Sequence, residues 1–166
     1  MVWFRRVSMA VAVGAALTVF TAPASAQSQV VTYSLAGVET AATSTEGTFV
    51  GVAISPDDFG TWGALVLHEP LDDTALITGG SFLVDGQLRN LEGLISVGEI
   101  VRLTSSCRKE TFDVTGHVIL FEGGIPTGDV GDFEVTLTHY GRRVPGGGCI
   151  TFFATVEGLI TFTLTP

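Results

Sequence analysis

His139-Tyr140-Gly141-Arg142-Arg143 is the densest run of side chains able to do chemistry in this 166-residue chain. Arginine can hold a carboxylate through paired N–H donors, tyrosine can stack or donate a hydrogen bond, and histidine changes charge near neutral pH. His139 shares the period-2 face of Phe133, Val135 and Leu137. A strand would therefore carry it along an apolar wall and place it near the wall's end. His139, Tyr140 and Arg142 are the candidate ligand-binding residues, with Trp62 as a further aromatic candidate at a cavity end or in the core. The plain alternative is a turn whose charges serve only solubility.

The remaining candidates carry less. His117 lies four residues from Asp113 on a threonine-rich face and reads as one half of a solvated pair. His68 precedes Glu69-Pro70 and reads as a loop residue. A metal site would need His68, His117 and His139 to converge from separate strands, and no histidine stands at ligand spacing from a cysteine. No nucleophile elbow, phosphate loop or zinc signature is present, and Gly146-Gly147-Gly148 opens no helix, so it reads as a turn. No catalytic residue, metal or cofactor is assigned from the sequence.

The elements that must position these residues are strands. From Cys149 to Thr165 the even positions run Ile150, Phe152, Ala154, Val156, Gly158, Ile160, Phe162, Leu164, and the odd ones are mostly threonine and glutamate. That alternation makes one apolar and one polar face of a strand, and a helix would scatter it. A one-residue slip would turn every large side chain outward, at roughly 1.5–3 kcal/mol each, so the register is fixed. The run is long enough for a curved barrel wall. The rival is two shorter strands that change sheets at Gly158, where a missing side chain allows a bend or bulge.

Taken in order, strands are expected at Gln29–Leu35, Thr45–Ile54, Thr61–His68, Ala75–Val84, Gln87–Ile95, Gly98–Thr104, Thr111–Phe121, Phe133–Tyr140 and the final run. Ala36–Ser44 and Glu122–Asp132 read as loops, and Gly79-Gly80 as a bulge. Asp85-Gly86 and Ser55-Pro56-Asp57-Asp58-Phe59-Gly60 carry turn chemistry. No helical periodicity follows residue 26. The fold class is all-β: a small antiparallel up-and-down β-barrel of about eight or nine strands, with a β-sandwich as the alternative. Gly60-Thr61-Trp62 resembles the Gly-x-Trp opening of lipocalin and avidin barrels. The resemblance covers three residues, falls on about the third strand, and implies no site residue.

Residues 1–26 have the layout of a cleaved secretory signal peptide: Arg5 and Arg6, an uncharged run from Val7 to Phe20, and the small-x-small site Ala24-Ser25-Ala26. Residues 27–166 then form a single domain large enough for a real core. Cleavage would remove two of eight basic residues and none of the seventeen acidic ones, moving the net charge from −9 to −11. No run of Lys and Arg forms a stripe, which argues against nucleic acid or anionic lipid as a partner. Cys107 and Cys149, an even pair in an exported chain, are expected to form a disulfide, with two buried thiols as the alternative.

These readings predict a secreted or periplasmic β-barrel with no stable membrane span after signal cleavage. The leading expectation is a non-catalytic binding or structural module, with an apolar small molecule or a protein as partner and the ligand site at one barrel end. A cofactor-independent cyclase or isomerase, using Glu99 or His139, is the first alternative. A small outer-membrane barrel is the second.

Overall fold

The computed structural model describes residues 27–165, so the expected signal peptide lies outside the described residues. The chain forms eight strands: β1 (Gln29–Ala42), β2 (Glu46–Ile54), β3 (Phe59–His68), β4 (Thr74–Gly86), β5 (Asn90–Ser105), β6 (Lys109–Glu122), β7 (Ile125–Arg143) and β8 (Cys149–Leu164). Each pairs antiparallel with its sequence neighbour, and β8 returns to β1, closing the barrel in the order β1 to β8. The sandwich alternative is thereby set aside. Closure leaves no free edge along the paired length, and eight strands enclose a lumen that side chains can fill or that can hold one small ligand.

Alternation decides what lies inside. Val31, Tyr33 and Leu35 of β1, Phe112, Val114, Val118 and Leu120 of β6, and Ala154, Val156, Ile160 and Phe162 of β8 all face the lumen and are buried. Phe162 stacks on Phe82 at 5.7 Å between centroids and receives the edge of Tyr33 at 6.2 Å.

Four expectations are corrected. Ala36–Ala42 is not loop: small residues continue β1 because they pair with β2 through Ala42↔Gly47 and with β8 through Val38↔Thr155. Gln87–Ile95 and Gly98–Thr104 are not separate strands: Gln87–Arg89 form the β4–β5 turn, and the rest belongs to β5, which crosses Ser96 by a register shift against β6. The glycine-rich loop shrinks to Gly123-Gly124, both at positive φ, and β7 begins at Ile125. In β8 the apolar face is interrupted near its start. Tyr140 pairs with Phe153 but Gly141 pairs with Thr151, so Phe152 is the extra residue of a bulge and points into solvent. Gly158 carries no register shift; a Cβ there would lie 2.2 Å from the Glu134 carbonyl, so it marks a close approach of backbones.

The irregularity at Gly79-Gly80 is present. Leu67 pairs with Gly79 and His68 with Ile77, which leaves Thr78 unpaired. The even count of cysteines is also accounted for: Cys107, in the β5–β6 turn, is bonded to Cys149 at the start of β8, with 5.4 Å between Cα atoms.

Candidate functional site

The two ends of the barrel differ. At the end formed by the β2–β3 and β4–β5 turns, Tyr33 Oη donates to Asp58 Oδ2 at 2.7 Å, and the Leu88 amide donates to Asp58 Oδ1 at 3.0 Å. Arg89 Nη2 lies 2.9 Å from Asp57 Oδ2 beside them. Burial pushes the Tyr33 phenol up to about 12, the Asp58 carboxylate adds to the rise, and Arg89 partly opposes it. The phenol's hydrogen bond is the largest influence holding the Asp58 carboxyl below its ordinary value, followed among the favourable contacts by backbone N–H groups. This end is plugged by a polar network in which the Tyr33 hydroxyl and the Asp58 carboxylate are paired, while Arg89 Nη1 is buried without a hydrogen-bond partner.

The opposite end is hollow. An apolar cavity of about 120 Å³ runs along the lumen to Ala42, Thr43 and Leu71, at the β1–β2 and β3–β4 turns. Its charged or titratable wall consists of Glu39, His68 and His139. Alternation along β1 carries Glu39 onto the same inward face as Tyr33 and Leu35, and β7 brings His139 to the same height. Their side chains are about nine-tenths buried, with His139 Nε2 3.2 Å from Glu39 Oε2. The contact is close but lacks the alignment of a hydrogen bond, and His139 Nε2 is buried. His139 also meets the edge of Phe112 at 5.4 Å, and the Arg102 guanidinium lies over that ring. His68, the last residue of β3, is buried; its Nδ1 is 2.6 Å from the Glu69 carbonyl, which fixes the ring.

Trp62 also lines the cavity, and its indole N–H donates to the Ala36 carbonyl at 3.3 Å. Gly37 and Gly51 make its slot, since a Cβ at either would lie within 3 Å of the indole. The pocket is therefore built by small residues on β1 and β2 as much as by the aromatic on β3.

Of the residues singled out from the sequence, His139 and Trp62 meet in this cavity. Tyr140 lies on the other face of β7 and stacks on Phe153 at 6.0 Å, and Arg142 is exposed near the β7–β8 turn. His117 does not pair with Asp113; its Nδ1 meets the Asp132 carboxylate across the β6–β7 ladder, on the outer wall. Glu99 is also on the outer wall, so it has no access to the lumen. Glu39 was missed because its segment reads as loop, and His68 because Glu69-Pro70 follows it. The signal for Glu39 was the odd-numbered face itself: Val31, Tyr33, Leu35, Gly37, Glu39. Among the described residues, no three His, Cys, Asp or Glu side chains are grouped to hold a metal ion.

No family model, curated protein or solved structure matches this chain. What the site can do rests on its own geometry: an apolar chamber with one carboxylate and two imidazoles at its mouth. The disulfide-bonded barrel is compatible with an extracellular or periplasmic location.

Proposed function

We propose that this barrel binds a small, largely apolar molecule carrying one hydrogen-bonding group, as an exported carrier or receptor in the periplasm or outside the cell. The observation that carries the reading is the apolar cavity itself, with His139 Nε2 buried on its wall, 3.2 Å from Glu39 Oε2 but in no aligned hydrogen bond. Buried polar atoms are almost always hydrogen-bonded, and a ligand oxygen in the lumen would supply an aligned bond that Glu39 does not. A cavity of about 120 Å³ is below the range of drug-sized pockets and close to the volume that accepts a benzene ring. The ligand class is therefore a ring or short chain of about six to eight heavy atoms with a hydroxyl or carbonyl.

The wall supports this reading over a membrane-spanning barrel. Transmembrane barrels alternate apolar-out and polar-in. Here the lumen is apolar, and the outside carries exposed Glu92, Glu99, Asp132, Glu134 and Glu157 among exposed apolar side chains such as Val52, Leu83, Leu94 and Leu159, so the contrast lies in the apolar lumen.

The test is a calorimetric titration with phenol, cyclohexanone and benzene. Saturable binding is expected, with the two oxygenated probes ahead of benzene. Ala64→Leu, which fills the chamber, abolishes it, and His139→Phe removes the preference for oxygen. Absence of saturable binding, or binding that Ala64→Leu leaves intact, refutes the reading.

A second reading has its own support in the approach of Glu39 to His139. An imidazole beside a carboxylate in apolar surroundings can take a proton from the carbon next to a carbonyl and return it to another position, an isomerisation that needs no cofactor. Deuterium exchange into cyclohexanone that His139→Gln removes is the expected sign of it.

A further inference from the structure

The described residues contain six cationic side chains, and two of them are neutralised: Arg89 by Asp57, and Arg102 by Asp73 and Glu110. The other four, Arg108, Lys109, Arg142 and Arg143, are exposed and form no ion pair among the described residues. Separate in sequence, they are gathered by the fold. Lys109 pairs with Tyr140, the Gly141 amide donates to the Arg108 carbonyl at 3.1 Å, and Arg143 pairs with Cys149, itself bonded to Cys107. The result is a stapled lobe of the β5–β6 turn and the β7–β8 hairpin. It extends past the point where β8 leaves β1, since that pairing ends at Val38↔Thr155.

The same lobe exposes Ile150, Phe152 and Phe153, at 42%, 66% and 47% of their surface. Bare aromatics among unpaired cations, on a chain whose overall charge is −9, are an interaction surface rather than a solubility device. We infer that this lobe docks the barrel onto an anionic lipid bilayer, with Arg108, Lys109, Arg142 and Arg143 at the phosphates and Phe152, Phe153 and Ile150 entering the apolar boundary. Cations gain from the negative surface potential, and apolar side chains gain from the phase behind it. A hydrophilic polyanion would leave Phe152 and Ile150 in water. A second copy docking lobe to lobe would set eight cations against one another.

Position adds to the argument. The lobe flanks the end at which the cavity opens, so docking brings the mouth of an apolar chamber to an apolar phase. The β3–β4 turn, with Glu69, Asp72 and Asp73, lies four strands from the β7–β8 hairpin but two from the β5–β6 turn, where Arg102 joins Asp73 to Glu110. The barrel therefore meets an anionic surface tilted onto the β7–β8 hairpin with Arg142, Arg143, Phe152 and Phe153, the part of the lobe opposite the acidic turn. The inference does not depend on the ligand reading, because the lobe lies outside the lumen.

The test takes the protein recovered from the exported fraction of an expressing cell and measures co-sedimentation with phosphatidylcholine vesicles, with and without phosphatidylglycerol. Binding is expected only with phosphatidylglycerol, and it is lost in about 1 M salt, where the screening length falls to ~3 Å. Arg142→Gln with Arg143→Gln weakens it about thirtyfold, at roughly a factor of five to six per charge. Phe152→Ser weakens it further, and both variants keep the wild-type melting profile. No association at low salt, or equal binding by wild type and variants, overturns the inference. So does a dimer that the same substitutions dissolve in a protein that ignores vesicles, which assigns the lobe to a second copy.

Discussion

The Tyr33 hydroxyl donates to Asp58 Oδ2 at 2.7 Å, and this bond ties the first strand to the β2–β3 turn across the base of the lumen. Tyr33 is fully buried and Asp58 nearly so. The pair makes the barrel's two ends chemically unlike each other.

Tyr33→Phe is expected to lower stability by roughly 1.5–3 kcal/mol, the usual worth of a hydrogen bond to a charged group. The pH dependence follows from the raised phenol. The folded state holds its proton up to about 12, while an unfolded tyrosine releases it near 10. The resulting stability is fully present below about pH 10 and is lost as pH rises through about 12. Urea unfolding between these limits should fall steeply for wild type and less so for Tyr33→Phe.

Asp58 works in the opposite direction. Its folded carboxyl is held below the ordinary value, first by the Tyr33 hydrogen bond. A depressed carboxyl stabilises above its unfolded value, about pH 4, and the contribution disappears as pH falls through the lower folded value. Asp58→Asn should be less stable at neutral pH and should show a shallower loss below pH 4, read as the urea midpoint across an acid series.

Removing the staple should cost up to about 4 kcal/mol in the chain-entropy account, for a loop closed between cysteines 42 positions apart. Cys107→Ser with Cys149→Ser tests this without reductant. Amide exchange should rise first in the β5–β6 turn and at residues 141–150, because β8 has no second neighbour before Thr155. Uniform exchange across the barrel would contradict that.

Gly80→Ala should destabilise more than Gly124→Ala. Both positions have positive φ, +146° and +83°, which costs a side chain about 1–3 kcal/mol. A Cβ at Gly80 would also lie 2.1 Å from the Leu65 carbonyl, whereas nothing stands within 4 Å of one at Gly124. Thermal melts of the two variants separate strain from collision.

The parts of this fold visible in the sequence are those where each face has one character. The alternation of β6 and most of β8 specified strands, register and inward residues. Where both faces are small or polar, as at Ala36–Ala42, only the pairing partners decide, and those are tertiary facts. At Val97 and at Phe152 a register shift changes the phase of alternation, so the sequence pattern alone breaks the first strand and turns the second side chain inward. The site divided along the same line. His139 sat on a legible apolar face, while Glu39 lay beyond the last large residue of β1. The cationic lobe was illegible because its members come from two turns that a disulfide and a strand ladder bring together.

The plugged base gives the lumen a single door. A ligand of the proposed kind would leave by the way it came, and a second would wait for the first. Glu39, His68 and His139 line the cavity toward that door, so such a ligand would pass them on entry and on exit. Exchange speed is then a property of the β1–β2 and β3–β4 turns around Thr43 and Leu71. Substitutions there should alter residence time in the chamber while leaving its contents' chemistry to the walls.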